Sequence, residues 1–393
     1  MSLSCKALHS LQRLLRERPL YRNTDSSTFA GWTLAAPPRA AADRSPRKFG
    51  DGGRFLAVTH VMDRCNVIVI GASAGGVNSL MQLVSGLPED LGAAVAVAVH
   101  VPEEAPSALP SILSRNGPLK ATHAADGEAL LHGRIYVAPP GRHLLVKRRT
   151  LRIAKGPNEN GHRPAIDPLF RTAARAHRRR TIGVILSGSL DDGTAGLYAV
   201  KQHGGAALVQ DPRDALFDGM PANAIENVAV DFIGDVPSLT SDLVRRTRML
   251  AADPAVEPDV TDQSDDLDAV EIDRGTADTD EWSAAPSQFT CPECHGALFE
   301  RQDGTIVRYR CRTGHAFSPD TLAATQSKGV EDALWIALRA LEENAALLRR
   351  LANRARERGH NRSCERFASQ ASDVEVRAKI IRDALLSAKP EVV

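Results

Sequence analysis

The sequence predicts an α/β fold in which helices cover both faces of a mostly parallel, doubly wound sheet, a Rossmann-like three-layer arrangement. Short apolar runs, rich in β-branched residues or alanine, are typical of buried strands and occupy residues 67–70, 93–99, 182–186 and 206–209. Between several of them lie segments with helical periodicity, such as residues 77–87 and 167–176. Because buried strands that alternate with helices pair in one direction, the sheet is expected to be parallel.

The composition is that of an ordinary globular chain. Hydrophobic residues make up 43% and charged residues 25% of the 393 positions, which excludes a chain disordered throughout, a collagen and a pure coiled coil. The net charge of +1 neither favours nor excludes nucleic acid as a partner. Six cysteines are too few for a disulfide scaffold of this length. Since no apolar run reaches the roughly 18–20 residues that span a bilayer, a cytoplasmic protein without membrane insertion is expected.

Changes in composition divide the chain into five parts. The first 60 residues hold ten Lys and Arg against four Asp and Glu, and Met62 precedes the first strong strand. Residues 251–287 hold twelve Asp and Glu against the single Arg274, too little apolar surface to offset the entropy of ordering. The predicted parts are a disordered basic tail (1–61, with a targeting peptide as the alternative), an α/β domain (62–249), an acidic disordered linker (250–288), a cysteine-containing module (289–322) and a helical hairpin (323–389).

Heptad-like periodicity predicts the helical hairpin. In its first helix the apolar residues step by four and three positions along one face: Leu334, Leu338, Leu341, Ala345, Leu348 and Ala352. Gly359 interrupts this pattern, and a second helix is expected over about residues 363–388. Packing of the two helices against each other accounts for the stripe. A homodimer formed through these C-terminal helices is a further hypothesis that the periodicity allows.

A glycine-rich turn follows the first predicted strand. Its pattern, Gly71-x-Ser73-x-Gly75, has the form of a nucleophile elbow, in which glycines permit a sharp strand-to-helix turn and the serine hydroxyl projects from it. Backbone N–H groups at the start of the following helix are suitable donors for an oxyanion. The alternative is a nucleotide-binding loop, although Ser73 occupies the second glycine position of the GxGxxG register.

Two further strand ends supply a base and an acid. His100 directly follows the second strand, and Asp191 and Asp192 follow the strand that includes residues 183–186. Carboxyl ends of parallel strands meet at one edge of a sheet, so these side chains are expected beside Ser73. There His100 accepts the Ser73 proton, and Asp192 or Asp191 orients the imidazole.

At these residues the sequence resembles the catalytic domain of the CheB-type chemotaxis receptor methylesterases. The resemblance covers about residues 65–245 and rests on ordered blocks: residues 70–76 (IGASAGG), His100 with the following Val-Pro, residues 133–139 (GRIYVAP), His143, residues 163–167 (RPAID), the turn at Asp192-Gly193, Gln210 and residues 219–221 (GMP). His143, Arg163 and Asp167 are secondary candidates, of which Arg163 or His143 is expected to line the substrate cleft; packing or ion pairing is the alternative for each.

The resemblance implies Ser73 as nucleophile, His100 as base and Asp192 as orienting acid. It further implies hydrolysis of γ-glutamyl methyl esters on a methylated chemoreceptor, and also deamidation of receptor glutamines. Two departures stand out: Ser189 occupies the position where the family has a methionine near the oxyanion, and the segment before residue 67 is too short for the family's receiver domain. The alternative function is a non-catalytic signalling scaffold that binds receptor or regulator helices. No nucleic acid partner is expected.

The cysteine-containing module has the ligand spacing of a zinc ribbon. Cys291 and Cys294 form C-x₂-C, and after sixteen intervening residues Cys311 and His315 form C-x₃-H. Thiolates and an imidazole suit Zn²⁺, and a metal would supply folding free energy to a unit with so small a core. His295 competes with His315 as fourth ligand, and disulfides or free buried cysteines are the alternative. A closed site of four protein ligands predicts a structural zinc, with no cofactor for catalysis.

Overall fold

The computed structural model describes residues 65–104, 107–252 and 286–387, which belong to one compact unit. The predicted basic tail (1–61) and most of the predicted acidic linker (250–288) lie outside the described residues. Within the described ranges, no helix is both long enough and apolar enough to cross a bilayer.

The described residues form two parts, an N-terminal part (65–252) and a C-terminal part (286–387). A parallel sheet of seven strands forms the centre of the N-terminal part, as predicted. The strands of this part are β1 (Val67–Ala72), β2 (Ala94–Val99), β3 (Lys120–His123), β4 (Arg134–Val137), β5 (His143–Val146), β6 (Leu151–Ala154), β7 (Thr181–Ile185), β8 (Ala206–Gln210) and β9 (Phe232–Gly234). In space the order is β3-β4-β2-β1-β7-β8-β9, while β5 and β6 pair as a separate antiparallel hairpin. The central strand β1 is therefore flanked by β2 and β7.

Six helices cover the sheet. They are α1 (Gly76–Ser85), α2 (Leu109–Asn116), α3 (Ile166–His177), α4 (Thr194–Gln202), α5 (Gly219–Asn227) and α6 (Val236–Ala252). Because successive side chains of a strand point to opposite faces, Ile68 and Ile70 pack with α1, α2 and α6, whereas Val67 and Val69 pack with α3, α4 and α5. Two buried cores result, one on each face, and the three-layer prediction is confirmed.

Register places the carboxyl ends of three strands side by side. Ala72 at the end of β1 pairs with Val99 at the end of β2, and Gly71 pairs with Ile185 at the end of β7. The segments that follow these strands therefore leave the sheet at one edge, beside one another.

The second part contains a small antiparallel sheet and two long helices. The sheet consists of β10 (Pro286–Thr290), β11 (Ala297–Asp303), β12 (Ile306–Cys311) and β13 (Ala316–Phe317), in that spatial order. The helices are α7 (Pro319–Glu357) and α8 (Asn361–Ser387). The first helix thus begins before the predicted boundary at 323, because the Ser318 hydroxyl caps it by accepting a hydrogen bond from the Thr321 N–H at 3.1 Å.

The predicted helical hairpin is confirmed. The stripe predicted from the heptads faces the partner helix: Leu338, Ala345 and Ala352 of α7 are buried, as are Ala371 and Ala378 of α8. Between the helices lies a tight turn in which Gly359 has a φ of +71°. This left-handed conformation favours glycine and explains why the periodic pattern stops there.

The two parts are joined by buried polar contacts. The carboxylate of Glu159, which lies between β6 and α3, accepts hydrogen bonds from Arg171 of α3 at 2.9 and 3.0 Å and from Arg308 of β12 at 2.8 Å. Burial opposes ionisation of this carboxyl group, but the two guanidinium groups lower its pKa below the usual range. Glu159 is therefore a buried anion that holds one cation from each part.

Candidate active site

Ser73 lies in the sharp turn between β1 and α1. Its backbone N–H donates to the Ser187 carbonyl at 3.0 Å, which ties the turn to the segment that follows β7. Gly75 has a φ of +70°, and a Cβ on Gly76 would lie 2.7 Å from the Ser187 carbonyl oxygen. Only glycines fit these two positions without strain, so the G-x-S-x-G-G pattern is a direct requirement of the turn.

His100 lies one residue beyond β2, with its ring between Ser73 and Asp192. The imidazole Nδ1 is 2.9 Å from the Ser73 Oγ, and Nε2 is 2.7 Å from the Asp192 Oδ2. The side chains of His100 and Asp192 are only 7% and 3% exposed. The structure therefore brings together the three residues that the sequence singled out, in hydrogen-bonded order.

Asp192 is held as a carboxylate. It lies in the turn between β7 and α4, where Oδ1 accepts from the Asn160 Nδ2 at 2.8 Å and Oδ2 accepts from the Ile166 N–H at 2.7 Å. Burial opposes its ionisation, but the hydrogen bond and charge of His100, with these further donors, lower the pKa of Asp192 to about 2. An ionised Asp192 accepts a hydrogen bond from the protonated Nε2, so the neutral ring presents the lone pair of Nδ1 to Ser73.

Asp191, the alternative acid from the sequence, turns away from His100. Its Oδ1 accepts from the Ser318 Oγ at 2.7 Å and from the Thr321 Oγ1 at 2.8 Å. Burial raises the pKa of this carboxyl group. Asp191 therefore contacts the start of α7, and only Asp192 of this pair contacts the histidine.

His162 stacks on the catalytic imidazole, a contact that the sequence did not predict. The ring centroids of His162 and His100 are 3.6 Å apart, and the rings are inclined by 14°. Burial, with the neighbouring His100, lowers the pKa of His162 to about 4. His162 is therefore neutral near pH 7 and packs on His100 without adding charge. Its place directly before the predicted 163–167 block was the one signal in the sequence.

The secondary candidates lie behind or beside the triad. Asp167 accepts from the Gly196 N–H at 2.6 Å and from Asn160 at 3.2 Å, and burial together with the charge of Asp192 raises its pKa to about 7. Arg163 pairs with Glu103 at 2.8 Å. His143 is fully buried and lies 2.9 Å from the Pro157 carbonyl oxygen. None of these contacts reaches Ser73, so the three side chains occupy supporting positions among the described residues.

The turn after β7 lies along the other side of the nucleophile. A Cβ on Gly188 would lie 2.9 Å from the Ser73 Cβ, so the backbone of this residue packs directly against the serine. Ser189 follows and is half-buried, and Leu190 has a φ of +61°. A backbone this close, in an unusual conformation, is suited to present N–H groups to a developing oxyanion.

The predicted metal ligands also come together. One ligand atom from each of Cys291, Cys294, Cys311 and His315 lies within 4.8 Å of the others, and His295 is outside this group. All three cysteines are free thiols. The separation of 3.6 Å between the sulfurs of Cys294 and Cys311 is far longer than a disulfide bond of about 2.05 Å.

Comparisons with known proteins give consistent results. The family model for the CheB methylesterases matches residues 68–243. A protein of Leptospira interrogans with the provisional name of protein-glutamate methylesterase/protein-glutamine glutaminase is 36% identical over 179 residues, 45% of this chain and 93% of that protein. Protein-glutamate methylesterase/protein-glutamine glutaminase 2 of Anaeromyxobacter dehalogenans is 37% identical over 185 residues, 47% of this chain and 54% of that protein. The crystal structure of the Thermotoga maritima CheB methylesterase catalytic domain is 31% identical and covers 46% of this chain and 98% of its own, with a TM-score of 0.45.

Proposed function

The chain belongs to the CheB methylesterase family, and from this membership we propose that it hydrolyses methyl esters of glutamate side chains and deamidates glutamine side chains in proteins. The observation that carries this function is the series of hydrogen bonds from Ser73 to His100 to Asp192 at the carboxyl edge of the sheet. A scaffold that only bound other proteins would have no use for a buried imidazole between a hydroxyl and a carboxylate.

The first half-reaction transfers the glutamyl group to Ser73. The Ser73 Oγ attacks the ester carbonyl carbon while His100 Nδ1 takes the hydroxyl proton, and Asp192 stabilises the imidazolium through the proton on Nε2. Collapse of the tetrahedral intermediate breaks the carbon–oxygen bond to the methoxy group. Nδ1 returns its proton to that oxygen, so methanol leaves and an acyl-enzyme remains.

The second half-reaction regenerates the enzyme. Water attacks the acyl carbon, Nδ1 accepts a proton from the water, and the bond to the Ser73 Oγ breaks as that proton passes to the serine. The product is a glutamate carboxylate. With a glutamine side chain the same steps release ammonia instead of methanol, since only the leaving group differs.

Backbone donors hold the oxyanion in this proposal. The candidates are the N–H groups at the start of α1 after Gly76 and those of Ser189 and Leu190, because both backbones lie beside Ser73. The N–H groups of Gly76 and Gly188 already donate to the carbonyls of Ser73 and Phe217. Ser189 stands where the CheB-type enzymes have a methionine, and a backbone N–H at this position is unaffected by the exchange. The substrate is a methylated chemoreceptor in the cytoplasm, whose esterified glutamates are exposed on helices.

The test is release of methanol from a methylated chemoreceptor by the purified full-length chain. Ser73→Ala removes the nucleophile and is expected to lower kcat by roughly a thousandfold or more. Ser85→Ala is the matched control, because Ser85 is exposed at the far end of α1, the helix that follows Ser73, and its hydroxyl donates to the Gln82 carbonyl. Equal methanol release by Ser73→Ala and the unaltered chain would contradict the proposed function.

A further inference from the structure

The four predicted metal ligands are spaced as a tetrahedral zinc site requires. Zn–S bonds of about 2.3 Å and Zn–N bonds of about 2.0–2.1 Å place sulfurs about 3.8 Å apart and sulfur and nitrogen about 3.6 Å apart. The distances here are 3.6 Å from Cys294 to Cys311, and 3.6 and 3.5 Å from the His315 Nδ1 to Cys291 and Cys311. These three of the six separations are those of ligands around one ion, and all six lie within 4.8 Å.

The surroundings of these residues orient them toward a common centre. While His315 Nδ1 faces the sulfurs, its Nε2 lies 3.2 Å from the carboxylate of Glu293, the partner that metal-bound histidines commonly have. Each ligand pair closes a tight turn: the His295 N–H donates to the Cys291 carbonyl at 2.9 Å, and the Gly314 N–H donates to the Cys311 carbonyl at 2.9 Å. These contacts fix the side chains without any bond between the thiols.

The module has little else to hold it together. Its buried cluster consists of Cys291, Leu298, Cys311, Phe317 and Leu322, and two of these five residues are themselves members of the ligand set. A unit with so few buried apolar side chains needs a further source of folding free energy, which in zinc ribbons is metal binding.

We propose that Cys291, Cys294, Cys311 and His315 bind one Zn²⁺, and that this ion holds Asn160 against the Asp192 carboxylate of the active site. The first half of this inference concerns metal binding and stands without the proposed function. The second half rests on that function, because its readout is catalysis.

The connection between the two sites runs through the residues directly after His315. The Ala316 carbonyl accepts from the Asn160 N–H at 2.7 Å, and the Ser318 N–H donates to the Asn160 Oδ1 at 2.9 Å. Asn160 is 3% exposed and has a φ of +51°, so this contact with β13 holds it in an unusual backbone conformation. Its Nδ2 then donates to Asp192 at 2.8 Å.

A second connection runs through Glu293. The carboxylate that faces His315 also accepts two hydrogen bonds from the Asn158 Nδ2, at 3.0 and 3.1 Å. Asn158 and Asn160 belong to one loop, so ligand and loop are held at two points. Loss of the metal would release β13 and this loop together, and Asp192 would lose one of the donors that keep it ionised and oriented. Asn160 is thus a positioning residue.

Metal content of the full-length chain tests the first half. Protein purified without chelator is expected to hold one zinc per chain, and Co²⁺ substituted for it is expected to give the intense visible absorption of a tetrahedral site with thiolate ligands. Cys311→Ser should abolish stoichiometric binding, whereas Cys364→Ser should retain it, because Cys364 is a buried cysteine of α8 outside the cluster. Absence of zinc from the unaltered chain, or a different metal in its place, would overturn the assignment.

A milder variant serves if the cysteine variant does not fold. Glu293→Gln keeps all four ligands and is expected to weaken zinc binding about 10–100-fold in competition with a chromophoric chelator. Glu300→Gln, an exposed carboxylate of β11 in the same module, should leave the affinity unchanged. Equal affinities of the two variants would contradict the role of Glu293.

Catalysis by zinc-loaded and chelated full-length protein tests the second half. After a chelator has removed the zinc, the chain is expected to release methanol about 10–100-fold more slowly, through a lower kcat. Asn160→Ala in the zinc-loaded chain should lower kcat by a similar factor. If Asn160 only stabilises the fold, its loss should leave the pH dependence of kcat unchanged. If its Nδ2 keeps Asp192 ionised, its loss should shift the acidic limb of the kcat–pH profile to higher pH. An unchanged kcat after zinc removal would overturn the coupling, while a zinc-loaded chain with no activity at all would instead contradict the proposed function.

Discussion

The two ring nitrogens of His100 have different partners, and this order determines which of them acts as the base. Nε2 faces Asp192 and Nδ1 faces Ser73. A carboxylate beside Nε2 accepts a hydrogen bond from the N–H there and leaves the Nδ1 lone pair for the serine. An amide at position 192 could donate to Nε2 instead, and would then stabilise the wrong tautomer.

Asp192→Asn is therefore expected to lower kcat for methanol release by roughly a thousand- to ten-thousandfold. Asp191→Asn is the matched control: it keeps an acceptor for the hydroxyls of Ser318 and Thr321 and should change kcat far less. Similar losses in the two variants would show that Asp192 has no special part in the reaction. Strand position alone left this choice open, because both aspartates follow the same strand, whereas the family resemblance indicated Asp192. In the fold the two side chains turn to different partners.

Asp167 makes the stability of the fold depend on pH. Burial and the charge of Asp192 raise its pKa in the folded chain to about 7, so the folded state holds a proton that the unfolded state releases near pH 4. The stabilisation is therefore complete below about pH 4 and is lost as the pH rises toward about 7.

The measurement is the free energy of unfolding of the unaltered chain and of Asp167→Asn at pH 5 and pH 8. The amide cannot ionise, so the variant should gain stability relative to the unaltered chain between pH 5 and pH 8. Any constant cost of the amide beside Asn160 cancels in this difference. A difference in stability that is the same at both pH values would contradict the raised pKa.

Among the secondary-structure elements, the hairpin of α7 and α8 followed most directly from the sequence. Its period of three and four residues predicted the buried stripe, and ion pairs between Arg349 and Glu375 and between Arg382 and Glu342 join the helices at their rims. The start of α7 was predicted four residues too late. Ser318 followed by Pro319 is a typical helix start, a signal that the metal-ligand spacing nearby obscured.

The homodimer expected from these helices remains a prediction. Apolar side chains also lie on the outer surface of the hairpin, where Ile336 and Leu347 are 67% and 57% exposed. If a second copy covers them, Ile336→Glu combined with Leu347→Glu should convert dimers to monomers in light scattering. Arg339→Glu changes an exposed charge on the same helix and serves as the control. A monomeric unaltered chain at tens of micromolar would contradict this prediction.

At the scale of the whole molecule, the sequence predicted the layers and the triad but not the loop residues that support the triad. Strand and helix periodicities predicted the layers, and three strand ends predicted the triad residues, because register brings such ends to one edge. Asn160 and His162 lie in a loop without periodicity, and their partners Asp192 and His100 are distant along the chain. Contacts of this kind depend on the completed fold, so no periodicity in the sequence predicts them.

The buried anion Glu159 limits how the C-terminal part can move. Separation of that part would break the ion pair between Glu159 and Arg308 and the hydrogen bonds that Asp191 accepts from Ser318 and Thr321. The C-terminal part is therefore expected to stay bound to the N-terminal part throughout turnover. It then supports Asp191 and Asp192 and does not move to admit substrate. A protein substrate of the proposed activity is then expected to reach Ser73 without displacing the C-terminal part.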